Sequence, residues 1–209
     1  MTTLISRPAS VLHVRIGVVG VQGDVSEHVE AVEAALRKSG RGGNVILLRR
    51  AEDVGTIDAA TIPGGESTTI SKLLAKSGLF KALQDRARNG MPVLGTCAGC
   101  ILLSKEAGEQ ADRTKTRLLG LMDMAVDRNA FGRQRESFEA TLPVEGLDKP
   151  FRAVFIRAPS IIKVWGECRP LARLGDVIVA ARQGNLVGAA FHPELSGDTR
   201  FHEWFLNLV

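Results

Sequence analysis

Met91-Pro92-Val93-Leu94-Gly95-Thr96-Cys97-Ala98-Gly99-Cys100-Ile101-Leu102-Leu103-Ser104 is the stretch from which the fold can be read. Its first six residues predict a short buried strand, with apolar residues on both alternating faces. Such a strand belongs inside a parallel sheet that is covered on both sides. Cys97-Ala98-Gly99 turns the chain, and Cys100–Ser104 continues as an apolar helical segment. Strand, tight turn and helix form the repeating unit of α/β proteins.

The unit recurs toward the N-terminus. Val11–Val21 predicts a central strand that runs into Gly20-Val21-Gln22-Gly23. Asp24 or Ser26 caps the next helix, whose apolar stripe is Val29, Val32, Ala35 and Leu36; Gly40, Gly42 and Gly43 stop it. Asn44–Leu48 and Ile57–Ile62 read as strands, the second leading into Pro63-Gly64-Gly65. A helix starts near Ser67 with Ile70, Leu73 and Leu74 inward, and another spans Leu79–Asn89. Toward the C-terminus, residues 107–117 are polar and read as a loop. Strand-like runs follow at Leu121–Val126, Ser137–Leu142, Ala153–Ile156, Ile161–Val164, Val177–Ala181 and Leu186–Phe191, and Gly197–Leu208 predicts a closing helix. The expectation is an α/β fold: one domain over residues 11–209, a mainly parallel mixed sheet with helices on both faces, and a small antiparallel part. Residues 1–10 read as a loose N-terminal extension.

Composition narrows the function classes. The chain has 209 residues, 44% of them hydrophobic, which suits one domain with a sizeable core. Lys and Arg number 27 against 23 Asp and Glu, a scattered excess of +4 with no basic run. Only 5% of residues are aromatic and none is Tyr, so the basic stripe with aromatics of a nucleic-acid protein is absent. Three irregularly spaced cysteines make neither a disulfide framework nor a CxxC zinc site, and predict a reducing cytoplasmic setting. No apolar run reaches the roughly 18 residues of a membrane helix, and the start lacks a convincing signal peptide.

Three short segments carry chemistry. In Gly95-Thr96-Cys97-Ala98-Gly99 a cysteine occupies the nucleophile position of a Gly-x-Ser-x-Gly elbow, where small neighbours allow a strained turn. The following helix N-terminus favours a thiolate. In Phe191-His192-Pro193-Glu194 the histidine ends an apolar strand, and Glu194 is close enough to orient it as a base. Pro63-Gly64-Gly65-Glu66-Ser67 lies between a strand and a helix. There the Gly65 N–H, with that of Ala98, is placed to stabilise an oxyanion. Each segment alone also reads as an ordinary turn, Ser67 serving as a helix cap; together they read as one site.

Pro63-Gly-Gly-Glu-Ser-Thr-Thr69, Gly95-Thr-Cys-Ala-Gly99 and Phe191-His-Pro-Glu-Leu195, in that order, resemble the class I (triad) glutamine amidotransferases. Gly-Val-Gln-Gly at 20–23, Arg-Asn-Ala-Phe-Gly-Arg-Gln at 128–134 and Phe-Ile-Arg-Ala-Pro at 155–159 are similar, more specifically, to the glutaminase subunits of pyridoxal 5′-phosphate synthases. The likeness runs from about Ile16 to the C-terminus. It implies a nucleophile at Cys97 and triad partners at His192 and Glu194. It also implies glutamine-binding positions at Gly65, Glu66, Ser67, Arg128, Ile156 and Arg157, with Gly65 doubling as an oxyanion donor. A guanidinium binds the α-carboxylate of glutamine well, a task for Arg128 that Arg157 is placed to share. The likeness further implies L-glutamine as substrate, a synthase subunit as partner in a large complex, no cofactor or metal for the glutaminase step, and no nucleic-acid or membrane partner.

Two cysteines depart from the pattern. Cys100 stands where an aliphatic residue is expected and reads as a small core hydrophobe; Cys168 lies outside every motif. Rival readings are an amidotransferase subunit of another pathway such as histidine synthesis, an elbow-cysteine peptidase or deglycase-like enzyme, and a binding subunit with a dead triad. The blocks at 128–134 and 155–159 oppose the first, the His-Pro-Glu near the end of the chain opposes the second, and the intact Cys97, His192 and Glu194 oppose the third.

Overall fold

A computed structural model describes residues 13–128 and 137–209. The extension expected over residues 1–10 and positions 129–134 of the arginine-rich block lie outside the described residues. The parallel core is β1 (Val14–Val19), β2 (Gly43–Leu48), β3 (Ala59–Ile62) and β4 (Val93–Thr96), with β5 (Ser104–Glu106) and β6 (Met122–Asp127) at the far side. The hairpin β7 (Ser137–Leu142) and β8 (Phe151–Ile156) forms a separate two-stranded sheet. Next come β9 (Ser160–Val164), β10 (Arg169–Leu174), β11 (Val177–Gln183) and β12 (Leu186–Ala189). The main sheet runs β2-β1-β3-β4-β12-β11-β9-β6-β5, with β10 also on β11. It is parallel from β2 to β12, antiparallel through β11, β9 and β6, and parallel again from β6 to β5.

The expected α/β sheet with a smaller antiparallel part is therefore present. The helices are α1 (Val25–Lys38), α2 (Ser67–Lys76), α3 (Leu79–Arg88), α4 (Ala98–Leu103), α5 (Gly108–Arg113) and α6 (Arg200–Leu206). They cover the two faces separately. Ile70 and Leu74 of α2, Leu79 and Leu83 of α3, and Ile101 and Leu102 of α4 share one buried cluster. Val32 and Leu36 of α1, Phe201 and Phe205 of α6, and Phe151 and Phe155 of β8 share the other. Successive strand residues alternate between them: Val93 joins the first cluster and Leu94 the second, Leu186 the first and Val187 the second. This is the period of two expected of a strand buried on both faces.

Several local expectations shift. Residues 108–113 of the expected loop are helical, and β5 and β10 have no counterpart among the strands read from sequence. The inner face of α1 is His28, Val32, Ala35 and Leu36, with Val29 only half-buried. Glu66, rather than Ser67, caps α2, accepting the Thr69 N–H at 2.7 Å. Among the described residues, no helix is long and apolar enough to cross a membrane.

Candidate active site

Parallel register gathers the candidate residues at one edge. Thr96 of β4 lies opposite Ala189 of β12, Ile62 of β3 opposite Gly95, and Val18 of β1 opposite Thr61. The chain leaving each strand therefore emerges on the same side. Cys97 follows β4, His192 follows β12, Gly64-Gly65 follows β3, and Gln22-Gly23-Asp24 follows β1. The carboxyl ends of parallel strands are where α/β sheets build their sites.

Cys97 sits between β4 and α4 with φ 47 and ψ −102, in a region that favours glycine. Its N–H donates to the Ala189 carbonyl at 2.8 Å. The turn is closed by backbone contact. A Cβ on Gly95 would fall 2.5 Å from the Gly99 carbonyl oxygen, and one on Gly99 only 2.1 Å from the Ile62 carbonyl oxygen. Strain held by packing at a nucleophile is characteristic of an elbow. The Ala98 N–H opens α4, where first-turn amides have no partner within the helix. The Cys97 sulfur is nearly buried and lies 3.9 Å from the Ile156 carbonyl at the end of β8.

His192 is fixed from below by Phe191, which packs within a cluster of Phe151, Phe155 and Phe201. Its own N–H donates to the Val154 carbonyl at 2.8 Å. A single 3-10 turn, Pro193–Leu195, then folds Glu194 back onto the imidazole. Glu194 Oε1 lies 2.6 Å from His192 Nδ1, and its side chain is entirely buried. Burial disfavours the His192 charge, but hydrogen bonds to Asp24, Cys97 and Glu194 outweigh it and push the imidazole up to about 12. Burial likewise pushes the Glu194 carboxyl up, against the opposing pull of His192.

The sequence reading missed two neighbours of this pair. His28 is fully buried, with Nε2 2.9 Å from Thr96 Oγ1 and 3.3 Å from Glu194 Oε2. His28 Nε2 hydrogen-bonds the Thr96 hydroxyl, and Glu194 Oε2 and His28 Nδ1 have no hydrogen-bond partner among the described residues. Burial, reinforced by His202 and His192, holds His28 well below its usual range and thus uncharged. His202 packs edge-on to it at 6.0 Å and is lowered by burial to about 4. The spacing His28, Val32, Ala35 along one helix face was the available signal. Asp24 is the other neighbour, with Oδ2 3.2 Å from His192 Nδ1. Asp24, His192 and Glu194 place their donor atoms within 4.8 Å of one another. Both carboxylates lie against the same imidazole nitrogen, Glu194 in a hydrogen bond and Asp24 in an ion-pair contact.

The remaining candidates divide. Gly65 has φ +137, and the Asp24 N–H holds the Gly64 carbonyl at 3.3 Å. The Glu66 N–H donates to Gln22 Oε1 at 3.1 Å, while the Glu66 carboxylate accepts from Arg128 at 3.1 Å. Burial raises the Glu66 carboxyl, but amide bonds from Thr69 and Thr68 and the Arg128 charge bring it below its usual value. Arg128 is largely buried and also donates to Thr114 at 3.3 Å. Ser67 Oγ is buried with no hydrogen-bond partner among the described residues. Ile156 reaches the sulfur through its carbonyl, while Arg157 has an exposed side chain and φ 45. The geometry thus brings Arg128, rather than Arg157, to Glu66.

Comparison with known proteins gives the family. A model described as the SNO glutamine amidotransferase family matches residues 18–209. The pyridoxal 5′-phosphate synthase subunit PdxT of Archaeoglobus fulgidus is 55% identical over 194 residues, covering 93% of this chain and 98% of that protein. The protein of the same name from Methanosarcina barkeri is 50% identical over 195 residues, covering 93% and 98%. A solved structure described as a glutamine amidotransferase superposes with a TM-score of 0.81 at 43% identity, over 92% of this chain and 97% of that one.

Proposed function

This chain belongs to the SNO glutamine amidotransferase family, and on that premise we propose that it is the glutaminase subunit of a pyridoxal 5′-phosphate synthase. It hydrolyses L-glutamine to glutamate and ammonia, and the ammonia passes to a synthase subunit in a complex of both. The observation that carries this reading is Cys97, strained at φ 47 at the sheet edge where His192 also emerges, with the imidazole held by buried Glu194.

Glutamine is a zwitterion, and the Arg128–Glu66 pair complements it. Its α-carboxylate docks on the guanidinium and its ammonium on the Glu66 carboxylate. Ser67 Oγ supplies an unused polar group beside them. His192 takes the thiol proton and the sulfur attacks the carboxamide carbon. The amide N–H groups of Ala98 and Gly65 receive the developing oxyanion. The tetrahedral intermediate collapses, the C–N bond breaks, and the His192 proton goes to the leaving ammonia. Water, deprotonated by His192, then cleaves the γ-glutamyl thioester and releases glutamate and the thiol. The free, buried cysteines favour a reducing, cytoplasmic setting.

The test is steady-state glutamate release, measured alone and with excess synthase subunit. Slow turnover alone and marked stimulation by that subunit are expected. Full activity in isolation, unchanged by the subunit, would reopen the choice among amidotransferase pathways.

A further inference from the structure

Asp24 stands at the N-cap of α1, yet its side chain makes no capping hydrogen bond. A cap residue that forgoes its helix is held by something else. Its Oδ2 lies 3.2 Å from His192 Nδ1, the same nitrogen that Glu194 Oε1 approaches at 2.6 Å. One ring nitrogen faces two carboxylates, Glu194 in a hydrogen bond and Asp24 in an ion-pair contact. They differ in environment: Glu194 is wholly buried, whereas the Asp24 side chain is 36% exposed. Burial works against the Glu194 charge, while the Asp24 side chain stays open to water.

The same residue grips the oxyanion turn. Its N–H donates to the Gly64 carbonyl at 3.3 Å. A Cβ on Gly64 would fall 2.4 Å from His192 Cε1 and 2.6 Å from Asp24 Oδ2. Only glycine there lets the carboxylate and imidazole close on each other. A trans peptide points the Gly65 N–H opposite to the Gly64 carbonyl. The Asp24 N–H thus helps set the direction of that donor.

We propose that Asp24 is a positioning residue for the glutaminase reaction: a second, partly solvated carboxylate that ion-pairs with His192 Nδ1 beside Glu194 and ties the base to the oxyanion turn. The charged and titratable groups around the imidazole are Glu194 on its own 3-10 turn, Cys97 from the β4–α4 turn, Asp24 from the β1–α1 turn, and neutral His28 of α1 behind Glu194. Of these carboxylates, Asp24 is the one open to water.

The proposal rests on the glutaminase reading, and its test separates the two. Glutamate release is measured with saturating synthase subunit across pH for wild type, Asp24→Asn, Glu194→Gln and the double variant. Asparagine keeps the shape and removes the charge. Removing a negative charge destabilises the imidazolium, so the Cys97–His192 pair loses its proton at lower pH. Both limbs of the kcat/KM profile therefore move to lower pH, by about one unit, and kcat falls about tenfold with KM nearly unchanged. Either carboxylate partly substitutes for the other, so the double variant loses more than the product of the single losses. A second measurement needs no turnover: in a Cys97→Ala background, the His192 imidazole titrates lower by NMR when Asp24→Asn is added. An unmoved profile and titration, or a double loss equal to the product, overturns the role of Asp24. Activity that survives Cys97→Ala overturns the glutaminase reading instead.

Discussion

The two glycine turns that meet at the site are built by opposite means. Gly95–Gly99 is locked by main chain against main chain, since added Cβ atoms would meet backbone oxygens at 2.5 and 2.1 Å. Backbone does not step aside, so the left-handed Cys97 is imposed by packing. Pro63–Ser67 is tied mainly by polar bonds, the Gly64 carbonyl to Asp24 at 3.3 Å and the Glu66 amide to Gln22 at 3.1 Å. The nearest obstacle to a Cβ on Gly65 is the end of the Gln22 side chain, at 2.8 Å. Such bonds exchange at small cost. Cys97 is thus held by main chain, while the Gly65 amide is held by contacts that exchange more readily.

The largest effects fall on the fixed turn and its base. Cys97→Ala abolishes glutamine hydrolysis, and a glutamine-analogue electrophile adds mass to the wild-type chain at Cys97 alone. Mass found mainly at Cys100, whose thiol burial pushes far above its usual range, would move the nucleophile. His192→Asn costs several orders of magnitude in rate, because a nucleophile and its base act as a unit. Near-normal turnover of that variant with synthase subunit present would remove His192 from the mechanism.

The next pair separates the turns directly. Gly99→Ala drives a methyl into the Ile62 carbonyl, so the thermal midpoint falls, with a stability loss of about 1–3 kcal/mol or more. Gly65→Ala stays folded, because the Gln22 side chain gives way and only the Gly23 Cα, at 3.0 Å, resists, but alanine disfavours φ +137 and the turn settles elsewhere. One misdirected oxyanion donor is worth about a hundredfold or more in kcat. The stimulated rate of Gly65→Ala should fall by about that factor while its melting curve barely moves. Equal melting losses in the two variants would erase the distinction between the turns.

The same physics separates what the sequence displays from what it hides. The strand at Val93–Thr96 is legible because double burial leaves a continuous apolar run. β10, Arg169–Leu174, is not, because as an edge strand it buries only Leu171 and Ala172 and is flanked by exposed Arg169 and Arg173. The helix at Gly108–Arg113 is polar, and Ala107 before it is not a capping residue type. In the site, Cys97, His192 and Glu194 show through because each lies in a short motif shaped by its own turn. Asp24 and His28 reach the site only through the register of β1 against β3 and the packing of α1. From sequence one looks like a helix cap, and the other looks like a polar residue beside the apolar stripe begun by Val29. Arg128 has the opposite history: resemblance named it, and its ion pair with Glu66 gives it a place.

The smallest effect is expected at Cys100, one turn beyond the nucleophile on α4. Its sulfur points into the core, where a Cβ on Gly188 would meet it at 3.1 Å beside Met124 and Met122. It is fully buried and belongs to the cluster under α2, α3 and α4. Cys100→Ala removes one sulfur atom and leaves a void too small for water. Truncations of that size cost about 1 kcal/mol, which for a domain of this length lowers the thermal midpoint by about 2–4 °C. The Cys97 turn keeps its shape, since its strain is held by Gly95, Gly99 and the Ala189 carbonyl rather than by this side chain. Glutaminase activity of Cys100→Ala should therefore match wild type at 25 °C, with the deficit appearing only in the melting curve. A drop in kcat comparable to that of Gly65→Ala would mean that core packing under α4, as well as the main chain around it, sets the position of the nucleophile.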